Sequence, residues 1–430
     1  MSFDTNLKAR AAQWITSSTR RNLSRRSAGL KRRLKFKNRE ILYFHRADDP
    51  YCQLMVQVLP ELINRFDVKV RPIVVERLPS NMYPDPMRYE AYSILDAVRL
   101  GELYGIGFPA NATVPDHLSS RMANNFLAEH QDSDDFFRLA ADIGSALWRR
   151  GVVALQKICG EAKIYHDAKL RENEALLKSV GHYASGVLSY GGELYWGLDR
   201  LDHLELRLRK EGLGDGQLHY NLTKRWMREV VEDPMDADSE LIELYFSVRS
   251  PYSYLAIEKL HYLMEYTGCQ VRLKPVLPMV MRGLKLPKSK AEYILHDTAR
   301  EAQVAGLPFG RIVDPLGLAT RRAMAIGFWA ISIGKGMQFF RAFTQAHWAK
   351  GIDTTDDRAM ERLLEDAGLP VLAGMGALDD KSWEDKAEAN RQSLLRRGLW
   401  GVPVLVHQDE VLWGQDRFFS VVQAFRANLK

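Results

Sequence analysis

The sequence carries an internal repeat. Ile41-Leu-Tyr-Phe-His-Arg-Ala-Asp-Asp-Pro-Tyr-Cys52 is matched by Glu243-Leu-Tyr-Phe-Ser-Val-Arg-Ser-Pro-Tyr-Ser253, and a repeat constrains architecture before any motif is read. Each copy continues into a helical pattern, Leu54, Val58, Leu59 and Leu62 in one and Leu255, Ile257, Leu260 and Leu263 in the other. A strand ending in proline follows, over 68–72 and 271–275. Tyr92, Asp96 and Gly105 recur as Tyr293, Asp297 and Gly306 at an offset of 201, and Trp148 and Gly151 as Trp348 and Gly351 at 200. Tyr195-Trp-Gly-Leu-Asp-Arg200 returns as Leu412-Trp-Gly-Gln-Asp-Arg417 at 217, so the second copy carries a net insertion of about seventeen residues before its last strands.

Each copy reads as strand, helix, strand, a long helical insertion, then two strands joined by a tight turn (Gly191-Gly192; Gln408-Asp409) and a closing helix. That order is a βαβ unit followed by ββα, an α/β fold built twice, with a parallel pair in each first half and a hairpin in each second. The expected organisation is a basic arm over 1–39, a first domain over 40–210, a polar linker over 211–239 containing Gly212, Gly214 and Gly216, and a second domain over 240–430.

Charge separates the arm from the rest. Residues 1–39 hold 12 Lys or Arg and one acid, Asp4, which leaves the other 391 residues at net −5 within a chain of net +6. The body therefore lacks the basic face that nucleic-acid binding needs. In the arm, Leu7, Ala11, Trp14 and Ile15 fall at helical spacing, which reads either as a basic amphipathic helix for a membrane surface or an acidic partner, or as a solvated tail. The three cysteines, Cys52, Cys159 and Cys269, form no CxxC pair, which excludes a dithiol redox centre made by this chain alone and fits a reducing, cytoplasmic setting. No apolar run is long enough to cross a bilayer, and the histidines show no metal-ligand spacing.

Leu244-Tyr-Phe-Ser-Val-Arg-Ser-Pro-Tyr-Ser-Tyr-Leu-Ala256, the segment with Tyr293, Asp297 and Arg300, Gly398-Leu-Trp-Gly-Val-Pro-Val404 and Trp413-Gly-Gln-Asp-Arg417 together resemble the thioredoxin fold of the DsbA superfamily. The branch they resemble is that of the 2-hydroxychromene-2-carboxylate isomerases and kappa-class glutathione transferases. Tyr104-Gly-Ile-Gly-Phe-Pro-Ala-Asn111 of the first copy also resembles the isomerase branch. The implied architecture is two tandem thioredoxin-like domains of DsbA/kappa type, each with a helical insertion.

The resemblance implies glutathione as cofactor and a glutathione-dependent isomerase or transferase acting on a small organic substrate. A thiol with a pKa of about 8.5 is mostly protonated at neutral pH, and a hydroxyl at a helix N-terminus helps to hold it as thiolate. By resemblance Ser250 takes that place, and as a residue before Pro251 it is also a natural helix cap. Pro403 is expected to be cis, presenting the backbone of Val402 to the tripeptide, with Asp416 and Gln415 at its γ-glutamyl end. Arg249, Arg282, Lys285 and Tyr293 are candidates for a substrate carboxylate. The pattern departs from the family where Gly283-Leu-Lys-Leu-Pro-Lys288 replaces an expected asparagine.

In the first copy Asp49 replaces Ser250 and Gly186 replaces Pro403; an aspartate there repels a thiolate, so this copy reads as non-catalytic and Cys52 as a buried, inert thiol. The fusion predicts either a monomeric pseudo-dimer or a homodimer. The alternative reading is a non-catalytic binding or scaffolding protein tethered through the basic arm.

Overall fold

A computed structural model describes residues 3–34, 39–160, 166–214 and 216–428. The chain divides into an N-terminal unit, Asn22–Leu222 with Pro287–Tyr293, and a C-terminal unit, Met1–Arg21 with Thr223–Leu286 and Ile294–Lys430. Where the sequence predicts a basic arm there are two helices, α1 (Phe3–Thr16) and α2 (Ser18–Leu34).

In the N-terminal unit, β1 (Glu40–His45) feeds α3 (Pro50–Arg65), which returns the chain to β2 (Lys69–Val74), parallel to β1. Asp49 caps α3 by accepting from the Tyr51 N–H at 2.9 Å, and Pro50 stands where a missing N–H costs nothing. Five helices follow: α4 (Pro86–Tyr104), α5 (His117–Glu129), α6 (Phe136–Trp148), α7 (Val152–Cys159) and α8 (Asp167–Ser179). The hairpin of β3 (Val187–Tyr190) and β4 (Glu193–Trp196) then pairs antiparallel with β1, giving the order β2-β1-β3-β4, and α9 (Leu201–Lys210) closes the unit. The hairpin turns on Gly191 and Gly192 at φ of +53° and +83°, a left-handed pair that glycine adopts without strain.

The expected linker contains a helix. In α10 (Leu222–Glu232), Thr223, Trp226 and Val230 are buried at helical spacing, and the Trp226 indole lies flat against Phe418 at 5.2 Å. The polar residues that suggested a linker flank this amphipathic stretch rather than interrupt it.

The C-terminal unit repeats the sheet. β5 (Leu241–Phe246), α11 (Pro251–Thr267) and β6 (Gln270–Pro275) form the parallel crossover, and the order is β6-β5-β7-β8. Six helices separate β6 from β7: α12 (Lys288–Val304), α13 (Leu318–Ser332), α14 (Gly336–Gln345), α15 (Asp357–Asp366), α16 (Val371–Gly376) and α17 (Trp383–Arg396). β7 (Val404–His407) and β8 (Glu410–Trp413) form the hairpin, and α18 (Phe418–Asn428) ends the described chain. Ile242, Leu244, Tyr245 and Phe246 of the central strand are wholly buried, as are Leu255, Ile257 and Leu260 of α11, so strand and helix share one core.

Candidate functional site

One end of the C-terminal sheet gathers the residues of interest. β5 and β6 are parallel and β7 runs antiparallel to β5, with Tyr245 opposite both Lys274 and Val404. The segments leaving β5 and β6, and the segment entering β7, therefore share an edge. Ser250, Arg282 and Val402-Pro403 lie on these three segments.

Ser250 is the N-cap of α11, its Oγ accepting from the Ser253 N–H at 3.2 Å. Its hydroxyl proton has no acceptor among the described residues and remains available to a ligand. Behind it, Ser253 is wholly buried and accepts from the Ser247 N–H at 3.3 Å, while the Ser247 hydroxyl is buried with no hydrogen-bond partner. The Val402–Pro403 peptide is cis. The Pro403 carbonyl accepts from the Gly414 N–H at 2.9 Å, but neither polar group of the Val402 backbone has a backbone partner among the described residues. A half-buried residue whose N–H and C=O lack a backbone partner just before a strand can pair with another extended backbone.

In the N-terminal unit the Asp49 carboxyl and the Ser185 carbonyl, which stand for the Ser250 hydroxyl and the Val402 carbonyl, are already bonded. Asp49 is buried and accepts from the Ser185 hydroxyl at 2.5 Å as well as from Tyr51. The Ser185 carbonyl, in the place of Val402, accepts from the Trp196 indole at 3.0 Å, and the Gly186 N–H donates to Phe44 at 2.8 Å, a bond that proline in its place cannot make. Burial pushes the Asp49 carboxyl above its ordinary range, against the pull of Arg46 and of the Ser185 bond. Burial pushes the Cys52 thiol well up too, and Asp49 adds to that. Cys52 accepts from the Arg46 N–H at 3.4 Å, the same turn-closing task that Ser253 performs in the other unit.

The other predicted residues separate. Gln415 turns inward: its amide oxygen takes Lys259 and its NH2 group donates to Glu301 at 3.1 Å and to Asp416 at 2.5 Å, while Lys224 bonds Glu301 at 2.7 Å. Only 1% of Gln415 is exposed, so its amide holds this buried charge network rather than facing a ligand. Asp416 is half-buried at the start of the last helix. Arg249 is held by Asp314 through two bonds of 2.8 Å, and Lys285 is exposed. Tyr293 belongs with the N-terminal unit, where it meets His182 edge-on at 4.6 Å and packs against Trp196.

Arg282 lines a cavity of about 480 Å³ with Leu277, Leu284, Ala387, Glu388 and Arg391. Burial, and repulsion from Arg391, pull its guanidinium below the ordinary arginine range. Glu388 is committed to Arg391 through bonds of 2.7 and 2.5 Å and also attracts the Arg282 guanidinium, and Glu384 completes the lining. The buried Nε of Arg282 has no hydrogen-bond partner among the described residues, which leaves a donor for an anionic group beside the apolar part of the cavity. Arg391 escapes sequence reasoning because it lies in the helical insertion, where its i, i+3 spacing from Glu388 looks like an ordinary surface pair.

Below this site Tyr252 donates to Asp297 at 2.7 Å and Arg300 donates to the other oxygen at 2.7 Å, as Tyr51 donates to Asp96 at 2.9 Å in the first unit. These shared pairs tie each α3-type helix to its neighbour and belong to the scaffold.

Similarity to known proteins lies in the C-terminal half of the chain. The 2-hydroxychromene-2-carboxylate isomerase of Sphingobium xenophagum is 26% identical over 187 residues, covering 42% of this chain and 94% of that protein. The isomerase of the same description from Pseudomonas putida is 26% identical over 193 residues, covering 43% of this chain and 93% of that protein. A solved structure of a 2-hydroxychromene-2-carboxylate isomerase aligns at 23% identity with a TM-score of 0.39, over 44% of this chain and 99% of that one. Residues 241–426 match the family described as DSBA-like thioredoxin domain, and the C-terminal half of the chain has that fold.

Proposed function

We propose that the C-terminal unit is a glutathione-dependent isomerase or transferase for a small organic anion, and that the N-terminal unit is a second copy of the same unit that has lost its ligand site. The carrying observation is the contrast at one sheet edge: the Ser250 hydroxyl and the Val402 backbone are unspent, whereas Asp49 and Ser185 bond each other. The isomerase activity by which the two relatives are named supports the isomerase reading over the matched half.

Glutathione, when bound, supplies a thiolate nucleophile. Ser250 donates its hydroxyl proton in a hydrogen bond to the sulfur, and the N-terminus of α11 adds favourable potential for the negative charge. Val402 pairs with the extended tripeptide through its N–H and C=O. Asp416 receives the α-amino group at the γ-glutamyl end, and Gln415 acts only by holding Asp416 in place. Arg282 anchors the substrate carboxylate and the leucines of the cavity hold its apolar body. Arg249, tied to Asp314, and Tyr293 take no part.

The rival, a binding or scaffolding protein, draws support from the commitment of the Gln415 amide to Lys259 and Glu301. Calorimetric titration of glutathione into the whole protein, with the thiolate followed by ultraviolet absorbance, separates the two. The expected result is a bound thiol that ionises well below its value in free glutathione, and a Ser250→Ala variant that loses that shift. A hydrogen bond to a charged group is worth about 1.5–3 kcal/mol, so turnover should fall roughly 10- to 100-fold in the variant. No binding at millimolar glutathione refutes the enzyme reading and leaves the scaffold.

A further inference from the structure

Helix α1 has two contrasting faces. Ala9 is wholly buried and Thr16 nearly so, and Thr16 stands so close to Gly310 that a Cβ there would overlap its hydroxyl. Asn6 accepts from Arg311 at 3.2 Å. These contacts seat one side of the helix on the segment around residue 310, within the C-terminal unit. The opposite side presents Leu7, Ala11, Trp14 and Ile15, at i, i+4, i+7 and i+8, with Leu7 57% and Trp14 52% exposed.

Helix α2, which from Asn22 onward belongs to the N-terminal unit, is contacted more lightly, with Arg25, Ala28 and Gly29 half-buried. Arg25 turns inward and grips Glu193 through bonds of 2.6 and 2.8 Å, while Leu23 and Leu30, one heptad apart, are 49% and 60% exposed. Ser18–Leu34 contains seven basic residues and no acid. Arg10 of α1 and Arg26 of α2 are exposed and have no acidic partner among the described residues. Five large exposed apolar side chains, Leu7, Trp14, Ile15, Leu23 and Leu30, thus fall in the most basic segment of the chain, on helices held on their other sides by the contacts named above.

We propose that each of these helices, through its own exposed face, docks on an anionic lipid surface, with its apolar residues entering the headgroup boundary and its arginines meeting lipid phosphates. The charge of 12 basic residues against one acid over residues 1–39 complements such a surface. The exposed leucines and the tryptophan favour lipid over nucleic acid, because a phosphate backbone rewards the arginines alone. Binding here is independent of the glutathione site, and each proposal stands or fails by its own measurement.

The test is sedimentation of the full chain with vesicles of phosphatidylcholine and of mixed phosphatidylcholine and phosphatidylglycerol. The protein should pellet with the mixed vesicles only, and raised salt should release it. Leu7→Ser with Trp14→Ser should weaken partitioning on the order of tenfold or more, with an unchanged circular dichroism spectrum. Arg10→Glu with Arg26→Glu, which leaves the apolar face intact, should weaken it as well and flatten the salt dependence. Failure to pellet, or wild-type partitioning by the Leu7/Trp14 variant, overturns the proposal. So does tight binding to an oligonucleotide duplex or an acidic peptide that is unaffected by the loss of Leu7 and Trp14.

Discussion

Ser250 and Asp49 start corresponding helices with nearly the same backbone, φ and ψ of −91° and 118° against −104° and 117°. Both side chains cap, so the helix start by itself does not distinguish the two units. The difference lies in what else each group bonds. Because burial raises the Asp49 carboxyl above its ordinary value of 3.8, the folded protein holds a proton that the unfolded chain has released. Folding then takes up that proton, and stability declines as pH climbs above 3.8 toward the raised value. Asp49→Asn keeps a cap and removes the titration. Scanning calorimetry across acid to neutral pH should show the variant gaining on the wild type as pH rises through that window, and a gap that does not change with pH would contradict the raised carboxyl.

At the scale of elements, α10 is held mainly by Trp226, which is 1% exposed and stacked on Phe418 of α18. Trp226→Ala deletes the largest fully buried side chain of the protein and should cost about 3–5 kcal/mol, read as an earlier denaturant midpoint for the C-terminal unit. A flexible linker would register almost nothing. This helix lies where glycines and acids flank a short amphipathic stretch, and composition averaged over 211–239 hides a period that only Thr223, Trp226 and Val230 carry. The strands and crossover helices were legible because their apolar residues are local and periodic, and both hairpins were marked by their turns. Ser250 and Pro403 were legible from neighbouring residues in the chain. The inward turn of Gln415 was not, since it depends on Lys259, Glu301 and Lys224 arriving from three other elements. Nor was the placement of Tyr293: its spacing to Asp297 copies that of Tyr92 to Asp96, yet Pro287–Tyr293 packs with the N-terminal unit.

For the whole molecule, two sheets of the same order carry different commitments. In the first, the carboxyl and the carbonyl that correspond to the open Ser250 hydroxyl and Val402 carbonyl of the second have internal partners: Asp49 with Ser185 and the Ser185 carbonyl with Trp196. On the proposed reading one substitution does not open the first unit to glutathione, because the Ser185–Trp196 bond still occupies a carbonyl that the tripeptide would use. Asp49→Ser restores the hydroxyl but leaves the Ser185 carbonyl under the Trp196 indole and the Gly186 N–H on its strand. Calorimetric titration of glutathione should therefore give one site per chain in the wild type, one in Asp49→Ser and one, weaker, in Ser250→Ala. A stoichiometry of two in Asp49→Ser would mean that the aspartate alone had closed the first site, and that its surrounding bonds yield to a ligand.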